Sequence, residues 1–421
     1  MIETISLLPG ITLRCCRIDR FKQAALSIQF LRPMAEAEAA KNALLPAVLL
    51  RGTGRYPDLR DITLRLDDLY GASVSALVRR IGDYQTTGLY CAFMEDKFAL
   101  EGDEILAPMV DFLRQLLLDP VTENGVFARE YVEGEKKNLI ATIESELNDK
   151  RAYAAGKLLR TMCRQDSFGI PRLGTAKQVG EISPESLWAH YAKIREESPV
   201  EIFYVGSAKP QQVAELIKGL FAGINRCYVN CLEQTRFRDG GGEEKVEEME
   251  ISQSHLCMGF VTPITNRSAE FAAMQVANAI FGAGMTSKLF MEIREKMSAC
   301  YAIGSGYYGS KGILTVSAGI DSSKEPQVRQ EILKQLALCA AGEITDQELQ
   351  AAKEAILSGL RTIHDAPGAI EGYYTSAVLN GLSMNPAQYM EAVSAVNREQ
   401  AAAAAATIQL HSTYFLKGVS R

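Results

Sequence analysis

The segment between Phe281 and Tyr301 carries the side chains of this 421-residue chain that are best suited to grip a peptide. Its pattern predicts a helix end, a glycine-rich loop with Gly282 and Gly284, a second helix that contains Arg294, and a strand that starts at Tyr301. A guanidinium donates paired hydrogen bonds to a carboxylate or a carbonyl, and a phenol donates one more. The alternative is structural: a helix-capping arginine and a half-buried core tyrosine.

The placement of the histidines excludes the usual zinc-hydrolase helix from this chain. The sequence has four histidines, and the closest two, His364 and His411, are 47 residues apart. A zinc helix needs two imidazoles about one turn apart, with a glutamate beside them to activate water. The other two, His190 and His255, lie on separate predicted elements, so Ser-His-Asp and Cys-His catalysis are also without support.

Composition and charge are typical of a folded protein that does not bind nucleic acid. The chain is 47% hydrophobic and 23% charged, and its net charge is -6 at pH 7. A chain of this charge lacks the general basic surface that phosphate backbones require. No basic and apolar leader opens the sequence and no long apolar run occurs, so we expect a cytoplasmic protein without a membrane segment.

The elements that must position Arg294 and Tyr301 belong to a duplicated pattern. Each half reads β-β-α-α-β-β-α-α-α-α-β, with an opening strand at Ile5–Cys16 and a last helix at Pro386–Ala406. Runs of strands and runs of helices predict an α+β fold, with helices on one face of a largely antiparallel sheet. We predict a first domain over 1–233, a glycine-rich linker over 234–245 and a second domain over 246–421, in a clamshell arrangement.

The order of these elements and several motifs resemble the pitrilysin/insulinase-type metallopeptidases, the family that includes mitochondrial processing peptidase. The motifs that carry the resemblance are Lys41–Thr53, Tyr56–Pro57, Leu66–Ala72 and Gly282–Lys296. Three segments are most similar to a non-catalytic bacterial group of the family, the YmfF-like proteins: Asp19–Lys22, Arg32–Pro33 and Lys41–Pro46. The resemblance covers essentially the whole chain.

Active members of this family carry an inverted zinc motif, H-x-x-E-H, and this chain departs from it at every position. The resemblance places Ala43 and Ala47 at the two histidines and Pro46 at the glutamate that polarises water. It places Thr142 at the third ligand and Glu135 at an accessory acidic position. It therefore implies a chain that does not hydrolyse peptides alone. We interpret the surrounding charges as a solvated helix face of ion pairs, formed by Glu135, Glu144, Glu146, Lys136, Lys137 and Lys150.

In two-chain members of this family, one subunit holds the zinc and the other contributes an Arg/Tyr pair. The resemblance implies that Arg294 orients the substrate and that Tyr301 stabilises the oxyanion, while Gly282 and Gly284 let the substrate backbone approach. Strand Cys300–Tyr307 is a candidate for pairing with an extended peptide. We expect a heterodimer with a zinc-bearing homologue that processes a peptide or small protein, and no cofactor in this chain. The alternative is a stand-alone peptide-binding or scaffold protein of the same fold.

Overall fold

The computed structural model describes residues 2–146, 148–230 and 236–419. The chain forms two compact units, the first from 1–144, 170–233 and 364–375, the second from 145–169, 234–363 and 376–421. Each half of the sequence therefore contributes one helical segment to the unit built mainly from the other half. The predicted linker 234–245 includes Gln234 and Thr235, which lie outside the described residues. Residues 236–243 have no helix or strand, and the next strand begins at Glu244.

The described residues form thirteen strands. Those of the first unit are β1 (Ile2–Leu8), β2 (Ile11–Arg17), β3 (Gln23–Pro33), β4 (Ser73–Ile81), β5 (Tyr84–Met94), β6 (Thr122–Glu123), β7 (Val126–Phe127) and β8 (Val200–Gly206). Those of the second unit are β9 (Glu244–Met249), β10 (Ser254–Val261), β11 (Cys300–Tyr308), β12 (Ile313–Ile320) and β13 (Gln409–Gly418).

Fourteen α-helices and one π-helix occur in the same part of the chain. The first half supplies α1 (Glu36–Leu49), α2 (Leu59–Asp68), α3 (Leu106–Leu118), α4 (Arg129–Ser145), α5 (Lys150–Met162), α6 (Ala176–Gly180), α7 (Pro184–Glu197) and α8 (Pro210–Leu220). The second half supplies α9 (Phe271–Phe281), the π-helix (Phe290–Lys296), α10 (Glu325–Ala340), α11 (Asp346–Thr362), α12 (Pro367–Asn380), α13 (Pro386–Ala395) and α14 (Arg398–Ala406). No helix among the described residues is long and apolar enough to span a bilayer.

Two predicted elements are wrong because local backbone geometry divides them. The strand over Ile5–Cys16 is a hairpin, since Gly10 adopts a left-handed conformation with φ 73° and turns the chain between β1 and β2. The helix over Pro386–Ala406 is two helices. Val396 is extended, and the side chain of Asn397 caps α14 by accepting a hydrogen bond from the backbone of Gln400.

A six-stranded sheet forms the centre of the first unit, in the order β1-β2-β8-β3-β5-β4. All neighbouring pairs are antiparallel except β2 with β8. Its apolar core combines strand and helix side chains, among them Leu26, Ile202, Leu44, Phe112 and Ile217. Burial of such side chains stabilises the fold by roughly 1.5–3 kcal/mol each.

A buried carboxylate explains why 364–375 belongs to the first unit. Glu371 on α12 is fully buried, and it accepts hydrogen bonds from Ser27 (2.6 Å), Gln29 (3.2 Å) and Thr375 (2.9 Å). The guanidinium of Arg79 on β4 binds both carboxylate oxygens, at 3.0 and 2.9 Å. A buried charge is stable only when it is paired in this way. The periodicity of the sequence gives no sign of this contact.

The second unit has a five-stranded sheet in the order β11-β12-β10-β13-β9, with only β13 and β9 parallel. Helix α5 packs on β10 and β13, where Ala154 and Leu158 form a buried cluster with Cys257, Tyr414 and Leu416. This contact explains why 145–169 belongs to the second unit. Strand β11 lies at one edge, so its outer side has no partner strand among the described residues. The predicted α+β class with largely antiparallel sheets is confirmed.

Candidate functional site

Helix α1 carries the positions that correspond to the zinc motif, and they offer no metal ligand. Ala43 is 6% exposed, Pro46 is buried and Ala47 is partly buried. Methyl groups and a pyrrolidine ring have no donor atom for zinc. A family-type zinc ion therefore does not fit this helix. Throughout the described ranges, no group of three or more His, Cys, Asp and Glu side chains is placed to hold a metal ion.

Pro46 lies one turn after Asn42, which belongs to a buried hydrogen-bond network that holds α1 in place. Because proline has no N–H, the carbonyl of Asn42 lacks its helical donor, and it accepts a hydrogen bond from the Thr87 hydroxyl instead (2.8 Å). The Asn42 side chain donates to Gln85 (2.8 Å) and accepts from Nε2 of His190 (2.7 Å). Burial lowers the pKa of His190 to about 4, so the imidazole is neutral at pH 7. The helix that holds zinc in active relatives is thus a structural element here.

The third-ligand region on α4 is also committed to protein contacts. Thr142 is exposed, and its hydroxyl donates to the carbonyl of Asn138 (2.9 Å). The Glu135 carboxylate accepts hydrogen bonds from Arg51 (3.2 Å) and from the Asn138 side chain (3.2 Å). Arg51 directly follows α1 and its C-cap residue, so this contact ties α4 to α1.

The interpretation of α4 as a solvated face of ion pairs is wrong for two of its residues. The side chain of Glu135 is only 14% exposed, and Lys136 is buried and donates to the carbonyl of Ile182 (2.8 Å). The burial arises because α4 packs beside the end of α1 and the start of α7. The exposed members are Lys137, Glu144 and Glu146.

Arg294 lies on a π-helix rather than on a regular α-helix. The backbone N–H of Met297 donates to the carbonyl of Glu292, five residues earlier, at 2.9 Å. Such wide turns are rare and frequently occur at functional sites. The Arg294 side chain is 44% exposed, and its guanidinium lies over the Phe290 ring, 4.8 Å from the ring centroid. It caps no helix carbonyl among the described residues, which argues against the structural alternative.

Tyr301 is 75% exposed, which contradicts the alternative of a half-buried core tyrosine. It sits at an irregular point of β11, where the pairing with β12 shifts register between Cys300 and Ala302. Burial raises the pKa of Cys300 to about 11, and the positive charge of Arg294 acts against that rise. Ser298 between them has φ 48°, a strained value for a serine. The structure thus places the two predicted side chains near the same end of β11, both accessible to solvent.

The two glycines predicted to admit substrate backbone have different surroundings. Gly282 ends α9 and accepts a hydrogen bond from the backbone of Ser305 (2.9 Å). A Cβ at Gly282 comes within 2.6 Å of Ser305 Oγ and 2.8 Å of Leu289 Cδ1, so close packing explains this glycine. Gly284 has φ 122°, and a Cβ there has no neighbour within 4 Å. Only Gly284 leaves open space beside its backbone.

Known proteins resemble this chain both in its second half and along its whole length. A family model described as the peptidase M16 inactive domain matches residues 181–356. The chain is 29% identical over 410 residues to the probable inactive metalloprotease YmfF of Bacillus subtilis (strain 168), which spans 97% of this chain and 96% of that protein. The chain is therefore similar to an inactive M16 peptidase domain over 181–356 and to this inactive metalloprotease over nearly its whole length. The resemblance to the insulinase-type family and to its YmfF-like group, predicted from the motifs, is confirmed.

Two solved structures share the fold of this chain. A conserved protein from Enterococcus faecalis V583 is 27% identical, with a TM-score of 0.92 over 100% of this chain and 99% of that one. A peptidase M16 inactive domain from Pseudomonas fluorescens is 16% identical, with a TM-score of 0.81 over 100% and 99%. These structures confirm the fold, whereas the family model and the Bacillus relative confirm the prediction of an inactive homologue.

Sequence reasoning missed one polar groove in the second unit. Its notable side chains are Arg151 at the start of α5 and His255 at the start of β10. These residues come from segments that lie about a hundred positions apart in the sequence, so no motif or spacing connects them. The groove lies beside Ala302, the residue that follows Tyr301.

Proposed function

We propose that this chain is the non-catalytic, substrate-binding subunit of a two-chain zinc metallopeptidase that processes a peptide or small protein. Its Arg294 and Tyr301 act on a substrate held at the zinc of a homologous partner chain. One observation carries the proposal: a chain without zinc ligands on α1 presents a 75% exposed tyrosine that follows Cys300, the residue on which the charge of an accessible Arg294 acts. Within the described residues the Tyr301 hydroxyl has no partner and Arg294 has only the Glu295 carboxylate at 3.9 Å, and the partner supplies the metal.

The exposure of Tyr301 matters because a folded protein usually buries an aromatic ring and satisfies its hydroxyl. The Tyr301 hydroxyl has no hydrogen-bond partner in the described part of the chain. It therefore remains available to a carbonyl oxygen that becomes negative during peptide cleavage. Arg294 supplies a planar fork of donors, which suits a backbone carbonyl or a carboxylate.

The edge strand β11 supports peptide capture at the same place, on the part of its edge nearer Tyr301, because the backbone N–H of Ser305 already donates to the carbonyl of Gly282 (2.9 Å). An extended peptide can add to a sheet edge through backbone hydrogen bonds. One face of β11 is nearly free of side chains at Gly304 and Gly306, where an added Cβ meets nothing closer than 3.6 and 3.7 Å. A peptide paired with this edge passes the Tyr301 end of the strand.

The test is co-expression of this chain with a zinc-bearing homologue from the same genome. We expect that the single chain binds no stoichiometric zinc and cuts no peptide. We expect that the complex binds zinc and cuts peptides. Arg294→Ala lowers kcat/KM of the complex by about 100-fold, the loss of a charge-assisted contact in the transition state. Lys296→Ala is the matched control. It changes the same π-helix at a residue that is 65% exposed and forms an ion pair with Glu292, and it leaves activity within about twofold.

Two results contradict the proposal. A single chain that binds one zinc and cuts peptides shows that the chemistry resides here after all. A chain that binds peptides but forms no complex with any zinc-bearing homologue favours the stand-alone binding protein.

A further inference from the structure

The second unit contains a polar groove that the roles of Arg294 and Tyr301 leave unused. Its volume is about 610 Å³. It is lined by Asn148, Asp149, Lys150, Arg151, Ser252 and His255, with Ile251, Gln253, Ala302 and Gly319 completing the wall. All of these residues belong to the second unit. The groove combines a helix start, a turn, the first residues of β10 and β11 and the end of β12.

His255 is the unusual member of this groove. Its side chain is 7% exposed, and its Nδ1 has no hydrogen-bond partner among the described residues. Leaving a buried polar atom unpaired is costly. Nδ1 itself has almost no accessible surface, so a ligand in the groove reaches this atom only if the His255 ring rotates. Burial lowers the pKa of His255, and the ring is therefore neutral at pH 7 with one N–H to donate.

The start of α5 adds positive potential to the same groove. Asp149 caps the helix, and one of its carboxylate oxygens accepts from the backbone of Arg151 (3.0 Å) and of Ala152 (3.0 Å). Its charge is thereby partly neutralised by the helix. The Arg151 side chain is exposed and forms no ion pair with another described residue. Lys150 gives the lining a second cationic side chain against one acidic group.

Strand register connects the groove to the edge strand. His255 is paired with Gly319 on β12, and Gly319 is paired with Ala302 on β11. The distance from His255 to β11 is thus two strand spacings, about 10 Å. The residue between them, Gly319, has no side chain, and the Gln253 side chain lies over it, with Nε2 2.8 Å from where a Cβ would be. The Gln253 amide therefore lies between His255 and β11 and forms part of the groove wall.

We propose that this groove binds a carboxylate of the peptide, with Arg151 and His255 as its donors. The carboxylate is either the free C-terminus or an Asp or Glu side chain. The inference rests on the proposed peptide-binding role, and it adds a substrate class: peptides that carry a negative group where they cross the Tyr301 end of β11.

The experiment uses NMR of the full chain, because its four histidines give few and separable imidazole signals. His255→Gln assigns the His255 signal. The probe is an acetylated heptapeptide of alternating threonine and valine, in three forms: with a free C-terminus, amidated, and amidated with one threonine replaced by glutamate. We expect saturable shifts of the His255 signal with a carboxylate-bearing form, at about tenfold lower concentration than with the neutral form.

Variants on one helix separate charge recognition from general effects. Arg151→Gln weakens binding of the carboxylate-bearing form by about tenfold and leaves the neutral form unchanged. Arg160→Gln, an exposed position on α5 outside the groove, changes neither. The form that binds best identifies the source of the carboxylate, the C-terminus or a side chain.

Failure of the carboxylate site and failure of the proposed peptide-binding role give different results. If all three forms bind equally and shift β11 amide signals, peptide capture stands and the carboxylate site is wrong. If no form shifts either β11 or His255, the carboxylate site and the proposed peptide-binding role are both wrong.

Discussion

Helix α1 and the segment from Gly282 to Tyr301 carry the two family motifs, and they have opposite physical character. On α1 the motif positions are apolar, and the surrounding polar groups, Asn42 and His190, are buried and hydrogen-bonded. In the second segment the backbone adopts a π-turn and a positive φ, and the key side chains face solvent. The first region contributes stability, whereas the second retains conformations that cost stability. The difference supports the proposal that the second region binds substrate.

Restoring the zinc motif tests how fully α1 has become structural. The triple variant Ala43→His, Pro46→Glu and Ala47→His places large polar groups where the first two positions are buried. We expect the free energy of unfolding to fall by about 4 kcal/mol or more, through overpacking and buried polarity. Urea denaturation measures the loss, and zinc analysis of the purified variant accompanies it.

The control for this variant is Ala37→His, an exposed position on the same helix. It changes stability by less than about 0.5 kcal/mol. A triple variant that is as stable as the parent and binds one zinc ion shows that α1 is still a metal-binding helix, and the comparison fails.

Protonation of His190, the buried histidine that is hydrogen-bonded to Asn42 on α1, makes the free energy of unfolding depend on pH. The pKa of His190 is about 4 in the folded chain, against about 6.5 when unfolded, because burial disfavours the charged form. Between these values the unfolded state binds more protons, so stability falls as the pH drops from about 6.5 to about 4. The loss reaches at most about 3 kcal/mol.

His190→Gln isolates this contribution, because glutamine keeps an N–H donor for Asn42 and does not titrate. Unfolding free energies at pH 7 and pH 4.5 then differ less for the variant than for the parent. An equal difference in both proteins shows that other groups cause the pH dependence.

The glycine-rich loop provides a smaller test of the second region. Gly282→Ala brings Cβ within 2.6 Å of Ser305 Oγ, and we expect a loss of about 1–3 kcal/mol. Gly304→Ala on β11 is the matched control. Its Cβ meets only a carbonyl oxygen at 3.6 Å, so stability changes by less than about 1 kcal/mol. If both variants unfold at the same denaturant concentration, close packing does not explain Gly282.

The sequence predicts those parts of the structure that depend on local pattern. Strand and helix periodicity indicates the α+β class, and residue types alone show that Ala43 and Pro46 are unable to hold zinc. Residues 145–169 belong to the second unit and 364–375 to the first because of contacts between residues far apart in the sequence, such as Glu371 with Arg79. Such contacts do not show in the hydrophobic periodicity of the sequence. The π-turn at Arg294 depends on one shifted hydrogen-bond register, for which no residue preference is known.

The central claim is that Tyr301 acts on a substrate at a zinc ion held by another chain. The most direct measurement is kcat of the reconstituted complex with Tyr301→Phe, which removes one hydroxyl from a 75% exposed side chain. We predict a fall of about 100-fold or more, with zinc content and melting temperature unchanged. Tyr308→Phe, the same change on the same strand, leaves kcat within about twofold. Equal activity of the Tyr301→Phe complex and the parent complex contradicts the account.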